Sequence, residues 1–314
     1  MTLLLGIAFG ADIWIQEDIQ GGLTADASGV STHNGSSSTW YSGDDLEVTI
    51  PSTATVEEVW AVVTAKSGGF PSSPQSKVRI NGVTLASGTL ESSSTQVLVY
   101  SLDPSTFGLT STGAYSYEEV GKTDTSAHGS AGVVGTTLYV LYSDPNDSPR
   151  HVVLATNYTT NGSWSITGLP TSGTEGTLYS SFTIGWECHS EQDGTITIDG
   201  SVMSQYAGGR DDSLVLTSCG DWSSLITAGS FGVNSSYALT GIEGDSFTAE
   251  PGGNSTSSRR SDELYSRSYG ESGSSSMIYS KNDSDGWVTG LAVVIELSDG
   301  DGDGVGDAND NCPA

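Results

Sequence analysis

Short apolar segments separated by turn-forming residues make up most of the 314-residue chain. Within them, apolar residues either alternate with polar ones or run continuously, and no long stretch has the helical period of about 3.6 residues. Gly, Ser, Asn and Asp recur between the segments about every eight to twelve residues, a spacing typical of β-sandwiches and barrels. The pattern therefore predicts an all-β protein. The clearest predicted strands are Leu46–Ile50, Val59–Ala65, Lys77–Ile80, Val97–Tyr100, Thr137–Tyr142, His151–Thr156, Ser180–Trp186, Thr195–Ile198, Ser213–Leu216 and Val288–Leu297.

Two stretches of the chain share a series of matched features, which suggests an internal duplication. Gly43–Pro51 and Gly162–Pro170 each combine a short apolar strand with a closing proline. A predicted hairpin follows each stretch, with Asn81 and Gly82 in the first turn and Asp199-Gly200 in the second, 118 residues further on. Asn-Gly and Asp-Gly favour two-residue turns because both central residues need positive φ. The alternative explanation is chance similarity between Gly-rich β segments.

These features predict two tandem, duplicated antiparallel β-sandwich domains of jelly-roll-like type, followed by a calcium-binding loop repeat. Each unit closes with an apolar strand, Leu138–Leu141 in the first and Leu291–Val294 in the second. The distance to that strand implies an insertion of roughly 35 residues in the second unit. We place the first sandwich at residues 12–160, the second at 161–297 and the terminal repeat at 298–314.

The charge balance limits the classes of partner. Lys and Arg total 10 and Asp and Glu total 38, which gives a formal net charge of −28. Such a chain forms no basic surface to neutralise phosphates, so nucleic-acid binding is disfavoured, as is adsorption to anionic membranes. The acidic excess instead suits binding of divalent cations. No run reaches the roughly 20 apolar residues of a transmembrane segment, and the composition is typical of an extracellular all-β protein.

The N-terminus has two interpretations. Residues 1–11 are largely apolar, with small residues near a plausible cleavage point after Ala11, so they resemble the end of a secretory signal without its basic segment. Alternatively, Leu3–Ile15 is a β-strand of the mature protein. Such a strand could pair with an exposed sheet edge of a neighbouring molecule, because main-chain hydrogen bonds supply affinity there. We therefore expect either a signal remnant or a strand for self-association.

The C-terminal segment carries the most specific chemical pattern. From Asp299 it reads Asp-Gly-Asp-Gly-Asp-Gly-Val-Gly-Asp-Ala-Asn-Asp, with carboxylates at alternate early positions and again at the ninth and twelfth. This is the spacing of a calcium loop, since Ca²⁺ takes about six to eight oxygens and alternate residues of a tight loop can aim them inward. The predicted Ca²⁺ ligands are the side chains of Asp299, Asp301, Asp303, Asp307 and Asp310 and the carbonyl of Val305. The alternative is an acidic linker that repels itself into an extended form.

The same segment resembles a thrombospondin type-3 repeat, whose signature it matches over Asp299–Pro313. The resemblance implies tandem repeats wound around calcium ions, with Cys312 in a disulfide to a neighbouring repeat. Because that neighbour is missing, we expect a polypeptide that continues beyond Ala314 or has lost its tail. The rest of the chain resembles the β-sandwich modules of bacterial secreted and surface proteins, through Ser143-Asp144-Pro145 after the first closing strand and through Ser261–Tyr265.

Two further cysteines, Cys188 and Cys219, lie in the same predicted unit. Their separation of 31 residues allows a disulfide, which requires an oxidising compartment. The alternative is two separate buried thiols. The segment Glu187–Glu191 contains one Cys and one His, which are too few ligands for a zinc site. We interpret it as a surface loop.

No catalytic pattern accompanies these features. The chain contains no Gly-x-Ser-x-Gly elbow and no His-Glu-x-x-His motif, and its histidines are His33, His128, His151 and His189. Four tryptophans are candidates for sugar stacking, although Trp in a β-sandwich is more often part of the core: Trp40, Trp164, Trp222 and Trp287.

These observations together predict a non-enzymatic protein that is secreted or held at the cell surface. Its role would be structural or adhesive, as a component of a surface layer, filament or matrix with a Ca²⁺-stabilised C-terminal repeat. The alternative is a pair of carbohydrate-binding modules within a larger secreted protein, with a glycan as partner. A hydrolase would need a buried pair of carboxylates, which no spacing in the sequence can reveal.

Overall fold

Antiparallel β-strands dominate the part of the chain that the computed structural model describes, as the hydrophobic pattern predicts. The described residues are 11–29, 39–43, 45–65, 70, 73–120, 133–170, 176–186, 194–207, 225–228, 264–269, 274–280 and 286–297. Their helical elements are the four-residue helix α1 (Pro104–Phe107) and two 3-10 turns, Pro74–Ser76 and Leu85–Ser87. None of these described helices has the length and apolar character needed to cross a membrane.

The strands are numbered in chain order. The first half contains β1 (Asp12–Ser28), β2 (Trp40–Ser42), β3 (Leu46–Val48), β4 (Thr55–Ala65), β5 (Val78–Ile80), β6 (Val83–Thr84), β7 (Thr89–Ser93), β8 (Val97–Leu102), β9 (Gly113–Tyr115), β10 (Tyr117–Val120) and β11 (Val133–Ser143). The second half contains β12 (Pro149–Thr159), β13 (Gly162–Thr167), β14 (Gly176–Trp186), β15 (Gly194–Ile198), β16 (Ser201–Ala207), β17 (Leu225–Ala228), β18 (Leu264–Tyr269), β19 (Ser274–Ser280) and β20 (Gly286–Glu296).

The strands form two large inner sheets and two small outer sheets. Inner sheet 1 contains the C-terminal part of β1, followed by β11, β4, β8 and β7. Inner sheet 2 contains the N-terminal part of β1, followed by β12, β20 and β14, and β14 also pairs with β17 and β18. Outer sheet 1 has the order β2-β10-β5-β6 and outer sheet 2 the order β13-β19-β15-β16, while β3 and β9 form a separate pair.

Strand β1 joins the two inner sheets by changing partners in its middle. Residues 12–20 pair with β12, whereas residues 21–28 pair with β11. The change takes place at Gly21, which has a φ of 152°, and a Cβ atom there would lie 2.1 Å from the carbonyl oxygen of Tyr142. A side chain does not fit this approach of two backbones, so glycine is required where the strand passes from one sheet to the other.

The sheets stack in four layers, because each inner sheet packs against an outer sheet on one face and against the other inner sheet on the opposite face. On β4, Ala61 and Val63 belong to the apolar core that also contains Val78 and Ile80 of outer sheet 1, whereas Val62 belongs to the core between the inner sheets. Strands β11, β12 and β20 are buried on both faces over most of their length. This burial explains why their sequences are continuously apolar rather than alternating.

Hydroxyl groups form hydrogen bonds across the interface between the inner sheets. The Thr64 and Thr289 side chains, on β4 and β20, have their hydroxyl oxygens 2.9 Å apart. The Tyr139 hydroxyl lies 2.7 Å from the Thr183 hydroxyl, which also accepts a bond of 3.2 Å from Thr137. All five side chains are buried, and burial raises the pKa of Tyr139 well above its usual range because the ionised phenol would lose its hydration.

The two halves of the molecule repeat one pairing pattern, as expected for duplicated units. Strand β4 pairs with β11 and is flanked by β8, and β14 pairs with β20 and is flanked by β18. The hairpin turns also match, since Asn81 and Asp199 have φ of 50° and 47°. Their N–H groups donate to the carbonyls of Ser116 and Ser276, each at 2.7 Å. In this correspondence β12 is the counterpart of β1, because β12 pairs with β20 as β1 pairs with β11. Strand β12 therefore belongs with the second set of strands.

Nine of the ten predicted strands coincide with strands of the structure, and the tenth, Ser213–Leu216, lies outside the described residues. The largest difference concerns the N-terminal strand, which the sequence predicts over Leu3–Ile15 and which the structure describes over Asp12–Ser28. Residues 16–18, in the middle of this strand, are polar and exposed. The sequence that follows Ile15 therefore resembles a loop rather than a strand. The limits expected for the two sandwiches, 12–160 and 161–297, stay predictions.

Candidate functional site

The residues of the predicted metal and disulfide sites lie outside the described part of the chain. They are Asp299, Asp301, Asp303, Val305, Asp307 and Asp310 for Ca²⁺, and Cys188 and Cys219 for the disulfide. Both sites stay predictions, as does the resemblance of the C-terminal segment to a thrombospondin type-3 repeat. Among the residues that the structure describes, no three His, Cys, Asp or Glu side chains form a group that could hold a metal ion.

The described part of the predicted N-terminal strand belongs to the protein's own sheet. Ile13 and Ile15 pair with Ala155 and Leu154 of β12. The indole Nε1 of Trp14, between them, donates a hydrogen bond of 2.7 Å to the Thr156 hydroxyl. Asp12, Ile13 and Ile15 are therefore already paired within the same chain, with Trp14 at a register shift between them. Pairing with a neighbouring molecule stays a prediction for the residues that precede them.

An aromatic pair marks the start of β1. The rings of Trp14 and Trp60 have centroids 5.7 Å apart and are tilted by 42°, and both are half-buried against the core between the inner sheets. Ile13 beside them is 42% exposed. The carboxyl group of Glu17 lies on the same strand, and its pKa is raised first by burial and then by the nearby charges of Glu58, Glu57 and Asp18. The surface around the aromatic pair is therefore strongly acidic.

Most of the tryptophans considered for sugar stacking pack against other residues of the protein. Trp164 and Trp287 are buried, so their faces cannot hold a ligand. Trp40 is half-buried, and the guanidinium of Arg79 lies 3.7 Å from the centre of its ring, so one of its faces is occupied by a cation–π contact. Trp222 lies outside the described residues.

One hydrogen-bonded pair of a histidine and a carboxylate resembles part of a catalytic dyad. The Nδ1 atom of His151 lies 2.5 Å from Oδ1 of Asp18, and the two residues are direct partners across β12 and β1. General-base catalysis would require the opposite nitrogen, Nε2, to reach a nucleophile. That atom is buried and makes no hydrogen bond within the described residues. The pair therefore links β1 to β12, and no nucleophile among the described residues bonds Nε2 of His151. The other three histidines lie outside the described residues.

A buried arginine holds the point where β1 changes sheets. The Arg150 guanidinium bonds both carboxylate oxygens of Asp147, with N–O distances of 2.7 and 2.8 Å, and it donates to the carbonyl oxygen of Gly21. Glu296 faces Arg150 across the β12–β20 pair. Burial raises the pKa of Glu296 although the positive charge of Arg150 opposes the increase. Through its bond to the Gly21 carbonyl, Arg150 of β12 thus ties the point where β1 changes partners to inner sheet 2.

The outer faces of the small sheets differ in charge between the two halves. In outer sheet 1, one row of paired residues runs across the strands as Ser42, Glu118, Arg79 and Thr84. Glu118 and Arg79 form an ion pair of 3.8 Å at about one-third exposure. The outward-facing row of this half is thus charged.

The equivalent row of outer sheet 2 carries no charge. It runs as Ser163, Ile278, Thr197 and Val202 in the same register, and the hairpin correspondence places Ile278 where Glu118 stands and Thr197 where Arg79 stands. Ile278 is 40% exposed and Val202 46% exposed. Sequence reasoning found the duplicated turns but missed this exchange, since a period-two pattern does not tell which strands are neighbours.

Comparisons with known proteins do not show a family. No protein-family model matches the chain, and no curated protein sequence matches it either. Among solved structures, the chain is similar to the crystal structure of the major capsid protein P2 from bacteriophage PM2, with 11% identity and a TM-score of 0.23 over 91% of this chain and 99% of that one. A similarity at this level establishes neither a shared function nor a shared assembly.

Proposed function

We propose that this chain is a non-enzymatic structural or adhesive protein of the cell exterior, which self-associates in a surface layer, filament or matrix. The observation that carries the proposal is the four-layer stack, in which several of the described buried polar groups bond one part of the fold to another. Arg150 holds the strand crossing, Asp18 and His151 join neighbouring strands, and Thr64 and Thr289 bridge the inner sheets. This use of polar groups suits a rigid building block.

The proposal includes a calcium-stabilised C-terminal repeat, which rests on the carboxylate spacing between Asp299 and Asp310. Without a metal, five converging carboxylates would repel one another, so we expect the tail to lose order when calcium is removed. The sandwiches should survive chelation, because their stability comes from apolar burial. Calorimetric titration of the full chain with millimolar Ca²⁺ should release heat that the D299N/D303N variant lacks. Absence of that heat in the unaltered chain would contradict the calcium part of the proposal.

Self-association can be tested directly. The full chain in millimolar Ca²⁺ should form assemblies that are visible by electron microscopy and whose sedimentation depends on concentration. Deletion of residues 1–10 tests whether strand pairing contributes, and it is a cleaner change than deletion of residues 1–15, because Asp12–Ile15 belongs to the protein's own sheet. Assemblies that persist after the deletion would exclude the strand-pairing route, whereas a chain that stays monomeric throughout would contradict the structural role.

A pair of carbohydrate-binding modules is the second candidate function. The observation in its favour is the half-buried pair of Trp14 and Trp60 at the start of β1, next to the exposed Ile13. The rings are tilted by 42° rather than coplanar, which favours packing on each other over a shared platform for a sugar. A glycan array gives the decisive measurement, in which binding that is lost in Trp60→Ala would support this function.

A further inference from the structure

We propose that the outer face of outer sheet 2 is the surface through which two copies of this chain associate. The inference rests on the proposed function, and it names the partner and the contact surface. The central observation is the row formed by Ser163, Ile278, Thr197 and Val202, whose register matches a charged row in the other half. Its two largest side chains, Ile278 and Val202, are 40% and 46% exposed.

Charge distribution identifies a second copy as the partner. The four strands of outer sheet 2 contain no Asp, Glu, Lys or Arg, although the whole chain carries a formal charge of −28. Two identical acidic molecules repel each other over most of their surfaces, and they approach at the lowest electrostatic cost through uncharged faces. A basic partner would instead be drawn to the acidic surfaces elsewhere on the chain.

The two edge strands of the same sheet carry no charged side chain. Strands β13 and β16 lie at the two ends of its strand order, and neither contains a proline or a charged residue. Proteins that remain monomeric commonly place Lys, Pro or a bulge on such strands. Of these devices β16 has only the bulges where its pairing with β15 shifts register around Ile196, and the pairing of β13 with β19 has no shift. The edge strands of outer sheet 1, β2 and β6, are also uncharged, and that sheet differs by carrying Arg79 and Glu118 on its central strands. The uncharged character thus extends from the face to the edges of outer sheet 2.

The size of the face sets the expected strength of association. Four strands of about six residues, spaced by about 4.8 Å with a rise of about 3.3 Å per residue, cover about 400 Å² per molecule. A stable standard interface buries about 800 Å² per partner. We therefore expect weak association that is visible from tens of micromolar upward, of the kind that gains strength when several contacts act together in an assembly. Added salt should strengthen it by screening repulsion between the acidic chains.

The test transfers the charged row of one half onto the other. The variant T197R/I278E of the full chain places an Arg and a Glu where the first half has Arg79 and Glu118, so the net charge is unchanged and the register is one that the fold already accommodates. The reciprocal variant R79T/E118I removes the ion pair from outer sheet 1 and leaves outer sheet 2 intact. Far-UV circular dichroism and urea unfolding of both variants check that each one folds before its association is measured.

Sedimentation velocity from about 10 μM to about 1 mM, at low and moderate salt, gives the readout. We expect the unaltered chain to dimerise, R79T/E118I to associate at least as strongly because it gains a second uncharged row, and T197R/I278E to show at least a tenfold weaker association. Association of T197R/I278E as strong as that of the unaltered chain would overturn the inference while leaving self-association, and thus the proposed function, intact. Unaltered chains that remain monomeric over the whole range would overturn both.

Discussion

The hydroxyl oxygens of Thr64 and Thr289 lie 2.9 Å apart between the two inner sheets, although the residues are 225 positions apart in the chain. Both side chains are fully buried, so neither hydroxyl can exchange its partner for water. With the neighbouring bonds of Thr183 to Tyr139 and Thr137, this contact makes the centre of the molecule a specific polar interface within an apolar core. Such an interface favours one relative placement of the sheets.

Replacement of one threonine in this pair should cost more than replacement of both. Thr64→Val or Thr289→Val alone leaves a buried hydroxyl without its partner, which should lower the free energy of unfolding by about 1–3 kcal/mol. The double variant T64V/T289V removes both polar groups at nearly constant shape and should lie within about 1 kcal/mol of the unaltered chain. Urea unfolding of the four proteins measures the coupling, and additive losses would show that the hydrogen bond contributes little.

Glycine at the strand crossing should be irreplaceable. Gly21→Ala places a Cβ atom 2.1 Å from the backbone oxygen of Tyr142 at a positive φ, so we expect a loss of about 3 kcal/mol or more in the free energy of unfolding. Gly82→Ala is the matched control, because Gly82 also has positive φ but has open space around its Cβ position. The control should lose about 1 kcal/mol. Equal losses in denaturant unfolding would mean that strain in φ, rather than the close approach, determines the effect.

The largely buried ion pair at the crossing should matter more than the exposed one. Arg150→Met removes the partner of Asp147 and of the Gly21 carbonyl, and we expect a loss of about 3–5 kcal/mol in the free energy of unfolding. The comparison is Arg79→Met, which breaks the partly exposed pair with Glu118 and the cation–π contact with Trp40 and should cost about 1–2 kcal/mol. Chemical denaturation of both variants checks the ranking, and a small effect at Arg150 would show that the strand crossing is held by packing alone.

Alkaline pH should unfold the protein through its buried tyrosines. Burial raises the pKa of Tyr117 and of Tyr139 in the folded state above the ordinary value of 10.0. The unfolded chain then releases these protons first, so stability is intact below about pH 10 and falls as the pH rises above it.

The Tyr139→Phe variant should show a shallower decline in stability with alkaline pH than the unaltered chain. Its stability at neutral pH should change little beyond the loss of one hydrogen bond to Thr183. Denaturant unfolding between pH 8 and about pH 11.5, together with ultraviolet titration of the phenols, provides the measurement. Phenol groups that all titrate reversibly near pH 10 in the folded protein would contradict the expected effect of burial.

Local patterns in the sequence determined the class of the fold and the position of most strands. Asn81 and Asp199 predicted tight hairpins, and in the structure both residues and the glycines that follow them have positive φ. These features could be predicted because turn chemistry and side-chain alternation act between residues that are close in the chain. The polar middle of β1 was not recognised as a strand for the same reason, since its partners lie far away on β11 and β12.

By itself, therefore, the sequence determined the all-β class, the duplicated turns, the excess of acidic charge and the expectation of a calcium loop. Only the tertiary structure decided that β1 joins two inner sheets at Gly21, that His151 is enclosed beside Asp18, and that an uncharged row in one half replaces an ion pair in the other. The physical reason is that strand order and register are chosen by burial of whole faces across large sequence separations, which no short segment of the chain encodes.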